Sequence, residues 1–163
     1  NNAGANRIRD ITEVTVEDYD AVLNLNLKAA LFVAQAVAKG LLAANRPGSI
    51  INVSSQMGHV GGGGRSLYSA SKWGLEGLTR CMAIDLAVHG IRVNTLCPTF
   101  IDTALTRPIL DAPGVRDHVL SRIKLGRLGR MEELAGPLLL LASDASTLMT
   151  GSSLIVDGGW TAG

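Results

Sequence analysis

The chain has 163 residues, enough for one domain with a sizeable core, and 47% of them are hydrophobic against 18% charged. A formal net charge of +1 gives no electrostatic reason to expect nucleic acid or an anionic membrane as a partner. Cys81 and Cys97 are too few and too far apart for a metal cluster or a CxxC redox motif. They read as reduced, mostly buried thiols of a cytoplasmic protein.

The chain opens on Asn1-Asn2-Ala3-Gly4, without a strand, glycine-rich turn and helix of the kind that holds a dinucleotide pyrophosphate. Its first ten residues contain no apolar stretch of signal-peptide type. Thr15-Val16-Glu17-Asp18 reads as a capping box, and an apolar helical pattern follows to about Ala44. Asn24, Asn26, Lys28, Gln35 and Lys39 interrupt that pattern, so it is not read as a membrane span. Pro47-Gly48 is a turn, Ser49–Ser54 a short strand, and residues 56–65 a glycine-rich loop. A helix from Ser66 or Leu67 to about Val88 stops at His89-Gly90, and Ile91–Leu96 is a second strand ended by Cys97-Pro98. Residues 99–130, with Pro108 and Pro113, read as a long irregular segment holding one short helix; loops of that length tend to be lids or binding segments. Met131–Ser143 reads as a helix and Ser152–Val156 as a last strand before the Asp157-Gly158-Gly159 turn. Alternating helices and strands predict an α/β layer with a parallel sheet.

Tyr68 and Lys72 stand four residues apart on the third of these segments, so they share one helix face. A cation there favours the phenolate and is expected to lower the Tyr68 pKa from its ordinary value of about 10 towards neutrality. Ser55, thirteen residues upstream at a strand end, supplies a hydroxyl to hold a carbonyl or alcohol oxygen. Together these groups move a proton for an alcohol–carbonyl pair but contain no electron acceptor. Strand alternation turns Ser54 and Ser55 to opposite faces, and the spacing to Tyr68 favours Ser55. Asn24 and Asn26 differ by about 200° around a helix, so at most one faces the site. Gly61–Gly64 lacks the full pattern of a phosphate cradle and reads as a flexible substrate-side loop. His59 reads as a surface histidine in that loop, His89 as a helix-end cation, and His118 carries no motif. Gln56, Met57 and Thr99 are expected substrate contacts.

These motifs, in order and with matching spacings, resemble the short-chain dehydrogenase/reductase family along the chain. The resemblance rests on Asn1-Asn2-Ala3-Gly4, Asn26-Leu27-Lys28, Ser55 with Tyr68 and Lys72, Ile91–Asn94 with Pro98, and Thr150-Gly151 with Val156–Gly159. It implies a truncated Rossmann-type parallel sheet over residues 1–163, retaining the fifth to seventh strands with their helices and lacking the N-terminal glycine-rich unit. Its first complete strand would be an unpaired edge, favouring association. The family further implies a nicotinamide-dependent oxidoreductase using NAD or NADP. Tyr68 would be the acid or base, Ser55 would orient the substrate oxygen, and Lys72 would lower the tyrosine pKa and bind the ribose. Asn26 would hold a relay water. Asn1, Ala3 and Gly4 would meet the adenosine side of the cofactor, and Pro98, Ile101 and Thr103 its nicotinamide amide. No metal is implied. Pro98-Thr99 and Ser54-Ser55-Gln56 lean towards L-xylulose and dicarbonyl reductase-like or polyol dehydrogenase-like members, hence small polyol, sugar or carbonyl substrates. A 3-oxoacyl thioester reductase-like parent, or an inactive fragment or association module, stands as the alternative. The implied assembly is a homo-oligomer, a tetramer or dimer.

Overall fold

Three short aliphatic runs make the sheet in the computed structural model, which describes residues 1–163. They are β1 (Gly48–Val53), β2 (Ile91–Pro98) and β3 (Ser153–Val156), all parallel and in the order β1-β2-β3. Gly48 lies opposite Ile91 and Val53 opposite Leu96, while Thr95 lies opposite Ser153 and Pro98 opposite Val156. The strands therefore end on one rim, where open parallel sheets bind ligands.

The first long helix comprises α1 (Val16–Leu23), a π-helical segment Asn24–Ala29, and α2 (Ala30–Ala43). The Thr15 hydroxyl accepts the Asp18 N–H at its start. By length and composition alone this 28-residue helix would suffice to cross a membrane. Its small face is nonetheless used inside the fold. Ala34 and Ala38 of α2 join Met82, Ala83 and Leu86 of α3 (Ser66–Leu86) against Ile50, Ile91 and Val93 of the sheet. Alanines along α2 let the helix lie close over the strands, and the buried aliphatic surface contributes about 25 cal/mol per Å². Gly90, at φ 71°, ends the Ala87–His89 turn after α3 in the left-handed conformation glycine favours.

Strand residues of the opposite parity face the other layer. Ser49 donates to the Leu141 carbonyl, and Arg92 donates to the carbonyls of Leu141 and Ser143 and to Ser146 Oγ, tying the sheet to α6 (Ala135–Ala142). Asn94 is fully buried because its amide donates to the Met149 carbonyl and accepts from the Ser152 N–H. Residues 99–130 hold two helices rather than one, α4 (Arg107–Leu110) and α5 (Val115–Arg122). Hydrogen bonds between Phe100, Asp102 and Gly129 close the excursion at its neck. Met131–Leu134 is a 3₁₀ turn leading into the shorter α6.

The outer edge of β1 is not bare. The Val53 N–H donates to the Asn1 carbonyl at 2.8 Å, and the Asn1 amino group donates to the Ile51 carbonyl at 2.9 Å. The Asn1 side chain adds bonds to Asn52 Oδ1 and the Ala30 carbonyl. The expected description, a truncated sheet with an unpaired first strand, is thereby corrected: the N-terminal residues close over β1. The layer is a Rossmann-like parallel sheet covered by helices on both faces.

Candidate active site

Ser54 and Ser55 follow β1 directly, where the chain leaves the sheet rim. The backbone turns at once into the 3₁₀ segment Gln56–Gly58, because the Ser55 hydroxyl accepts the Met57 N–H at 3.1 Å. The same hydroxyl donates to Gln56 Oε1 at 2.6 Å, so its proton is held by a neighbour while one lone pair remains available. Ser54 is buried on the other side, towards Glu76, as alternation predicts.

The helix α3 brings Tyr68 and Lys72 to the same rim. Lys72 is 4% exposed and donates to the Val53 carbonyl at 2.8 Å, so the last carbonyl of β1 positions the ammonium. Its Nζ lies 5.6 Å from the centre of the Tyr68 ring. Burial lowers the Lys72 pKa to about 8, against the opposing influence of Cys97 and Glu76. The Tyr68 phenol departs from expectation. Burial raises its pKa, and this outweighs the lowering by the Ser55 hydroxyl and the Arg65 cation. The reason is that Lys72 spends its ammonium on the Val53 carbonyl and stands over the ring rather than against the hydroxyl.

Asn26 falls inside the π-helical segment and is 1% exposed. Its amide donates to the Ala5 carbonyl and Ser71 Oγ, and its oxygen accepts the Ala5 N–H at 2.7 Å. Ser71 in turn donates to the Tyr68 carbonyl. Asn26 thus clamps the N-terminal segment to the turn of α3 that carries Tyr68 and Lys72. The family resemblance pointed to this asparagine, but the sequence carried no sign of the π segment, a feature that recurs at functional sites.

Other expected contacts are distributed unevenly. A Cβ on Gly4 would lie 3.5 Å from Asn26 Oδ1 and 3.9 Å from Lys72 Nζ, so Gly4 borders the site. The Asn1 side chain is committed to Asn52 and Ala30 and faces the sheet instead. Pro98 ends β2, and Thr99 leaves a buried Oγ1 without a partner at the rim. Ile101 is buried in the bridge to Gly129, and the Thr103 hydroxyl bonds with that of Thr106. Met57 lines a pocket with Phe100 and Trp160, whereas Gln56 serves Ser55. His59 is only partly exposed and points to Glu76, with Nε2 3.7 Å from its carboxylate.

Glu76 was not singled out from the sequence. One helical turn beyond Lys72, it is 1% exposed and accepts from Ser153 Oγ at 2.6 Å, Thr95 Oγ1 at 3.0 Å and Cys97 Sγ at 3.3 Å. Burial raises its pKa, but the Ser153, Ser54, Cys97 and Thr95 donors outweigh it and hold the carboxyl below the usual range. Burial pushes the Cys97 thiol up to about 12. Ligand atoms of His59, Glu76 and Cys97 lie within 4.8 Å of one another, although the carboxylate is already occupied by these donors.

Comparison with known proteins gives the class. The family described as Enoyl-(Acyl carrier protein) reductase matches residues 1–161. The chain is 44% identical over 159 residues to the 3-oxoacyl-[acyl-carrier-protein] reductase FabG of Thermotoga maritima, covering 98% of this chain and 63% of that one. It is 41% identical over 162 residues to the L-xylulose reductase of Bos taurus, covering 99% and 66%. A crystal structure of a putative 2-deoxy-d-gluconate 3-dehydrogenase from Agrobacterium tumefaciens with bound NADP superposes at a TM-score of 0.95 and 39% identity, covering 99% and 65%.

The chain belongs to the short-chain dehydrogenase/reductase family. It spans about two thirds of the length of these relatives. The match begins at residue 1 and follows the fold along almost the whole chain. The fold-class expectation of a truncated sheet, defined by a lacking unit, gives way to a Rossmann-like short-chain dehydrogenase fold with a parallel sheet.

Proposed function

We propose that this chain carries the proton-transfer site of an NAD(P)-dependent oxidoreductase that interconverts a secondary alcohol and a ketone, on a polyol, sugar or small carbonyl substrate. The observation that carries the reading is the convergence of Ser55, Tyr68 and Lys72 at the end of β1, with Lys72 Nζ on the Val53 carbonyl and near the Tyr68 ring. The surroundings fit a nicotinamide dinucleotide: the Gly4 backbone, without a side chain, lies beside Asn26 and Lys72, and Thr99 presents a buried, unpartnered hydroxyl. Lys72, Tyr68, Ala3, Gly4, Pro98 and Thr99 would hold it, with Ile101 and Thr103 behind them. Such a group, when bound, supplies the hydride carrier that the side chains lack.

Within this reading Tyr68 holds a proton on its phenol and delivers it to the developing alkoxide in reduction. Ser55 Oγ, its proton held by Gln56, accepts a hydrogen bond from the substrate alcohol and turns to donate to a ketone oxygen. Lys72 supplies the positive charge that favours Tyr68 phenolate in oxidation, and Asn26 keeps the N-terminal segment against α3. Exposed Phe32, Val33 and Val37 on α2 support association with a second copy of the chain. The test is NAD(P)(H)-dependent turnover over a panel of polyols, sugars and ketones, with Tyr68→Phe as the diagnostic variant. Loss of turnover in Tyr68→Phe with unchanged circular dichroism is expected. Retained turnover in that variant, or no dinucleotide binding by the wild-type chain, overturns the assignment.

A further inference from the structure

Beside the proton-transfer site lies a pocket of about 770 Å³, within the usual size range for small-molecule sites. The glycine loop forms one wall and α5 another, with Phe100 and Trp160 between them. Two guanidinium groups and one imidazole line it, from Arg65, Arg122 and His118, and no carboxylate does. The sequence pattern singled out neither arginine, although Arg65 stands only three positions before Tyr68.

Arg65 is half-buried beside the Phe100 ring, with its guanidinium carbon 5.9 Å from the ring centre. It takes part in none of the chain's ion pairs. Burial lowers its pKa, and the only group acting the other way is Tyr68. Desolvating a charge without a partner is unfavourable, so the position gains from an anion that arrives with a ligand. Arg122 flanks the Trp160 ring at 5.8 Å and is likewise without an acidic partner. Each guanidinium stands beside an aromatic ring, and its fork of N–H donors suits a planar acceptor, which is carboxylate geometry. Trp160 is itself buried and leaves its indole N–H without an acceptor.

We propose that this pocket selects hydroxy or keto acids, with Arg65 as the main carboxylate anchor and Arg122 as the second cation at the rim. The inference rests on the alcohol–ketone reading above and narrows its substrate class. Arg65 and Tyr68 lie three residues apart near the start of α3, on neighbouring positions of one face. A carboxylate on Arg65 therefore places a nearby carbinol or carbonyl carbon of a short, flexible acid at the phenol.

D-gluconate and D-glucitol make a suitable probe pair, since they differ in a terminal carboxylate against a CH₂OH. Titration of the 163-residue chain with each, by calorimetry at low salt, requires neither dinucleotide nor turnover. Gluconate is expected to bind about tenfold tighter than glucitol, as a charge-assisted bidentate contact adds to shared hydroxyl contacts. That preference should disappear in Arg65→Gln, shrink in Arg122→Gln and weaken with added salt. Tyr68→Phe should retain it. Equal affinities, absence of gluconate binding at millimolar concentration, or a preference that survives in the Arg65→Gln/Arg122→Gln double variant overturns the proposal. Arg122 is exposed, so its variant remains informative if Arg65→Gln unfolds. A preference without turnover refutes only the oxidoreductase reading; turnover of neutral ketones with no acid preference refutes only the anchor.

Discussion

Lys72 offers a direct test of how burial shapes the site, because its charge is stripped of water and compensated only in part. The fall of its pKa from 10.5 to about 8, at about 1.4 kcal/mol per pH unit, corresponds to about 3 kcal/mol of stability withheld from the folded state at neutral pH. Below pH 8 the side chain is charged in both states and the penalty is constant. Between pH 8 and 10.5 the unfolded chain binds more protons than the folded one, so this contribution to stability rises with pH. Cys97 acts in the opposite sense. Its thiol is raised from 9.0 to about 12, so above pH 9 the unfolded chain ionises first and stability falls. The wild-type chain should therefore gain stability from pH 8 to 9 and level off beyond. Lys72→Met should show no gain and decline above pH 9. Urea denaturation followed by circular dichroism at half-unit steps from pH 7 to 10.5 measures both curves. Their difference should change by about 3 kcal/mol across the window, whatever constant offset the lost bond to Val53 adds. Parallel curves would refute the argument that desolvation of Lys72 dominates.

Glu76→Ala leaves the hydroxyls of Ser153 and Thr95 and the Cys97 thiol without their acceptor, and should destabilise by about 2–4 kcal/mol in urea titration, with Gln less harmful. Gly74→Ala should cost about 1–3 kcal/mol, because its Cβ would come within 2.9 Å of a Leu27 methyl; Leu27→Ala in the same chain should recover part of that. Asn26→Ala should speed hydrogen exchange at the Ala5 amide by about tenfold or more while amides in the middle of β2 stay protected, read by NMR.

Much of the architecture was legible because local signals agreed with one another. Thr15, Pro47-Gly48, Gly90 and the Asp157-Gly158-Gly159 turn each mark a boundary for a reason internal to a few residues, and the elements fall within a residue or two of them. The Ser55–Tyr68–Lys72 arrangement was legible because helix periodicity fixes the last two on one face and a strand end fixes the first. What escaped depends on contacts distant in sequence. The π segment around Asn26 comes from bonding to Ala5 and Ser71, and the pairing of Asn1 with β1 spans some fifty residues. Glu76 looks like an ordinary helix charge until β2 and β3 bring three donors to it. The cations of the pocket were hidden similarly, since Arg65 and Arg122 meet only after α5 folds back over the glycine loop.

Burial drives the pKa values of the two central groups apart, in a way the sequence pattern did not anticipate. The phenol of Tyr68 is raised and the ammonium of Lys72 is lowered, so Lys72 loses its proton before Tyr68 does as pH rises. At neutral pH Tyr68 is then a protonated phenol over a largely charged lysine, the state that donates a proton to an oxygen gaining negative charge. Acting as a base requires removing that proton while Lys72 remains charged, and because Lys72 loses its charge first, pH alone does not populate that state. Under the proposed function, carbonyl reduction should therefore run well at neutral pH, whereas alcohol oxidation should weaken above about pH 8 as Lys72 loses its charge. An anion on Arg65 would sharpen this asymmetry: it offsets the cation that lowers the phenol, raising Tyr68 further and favouring its role as an acid.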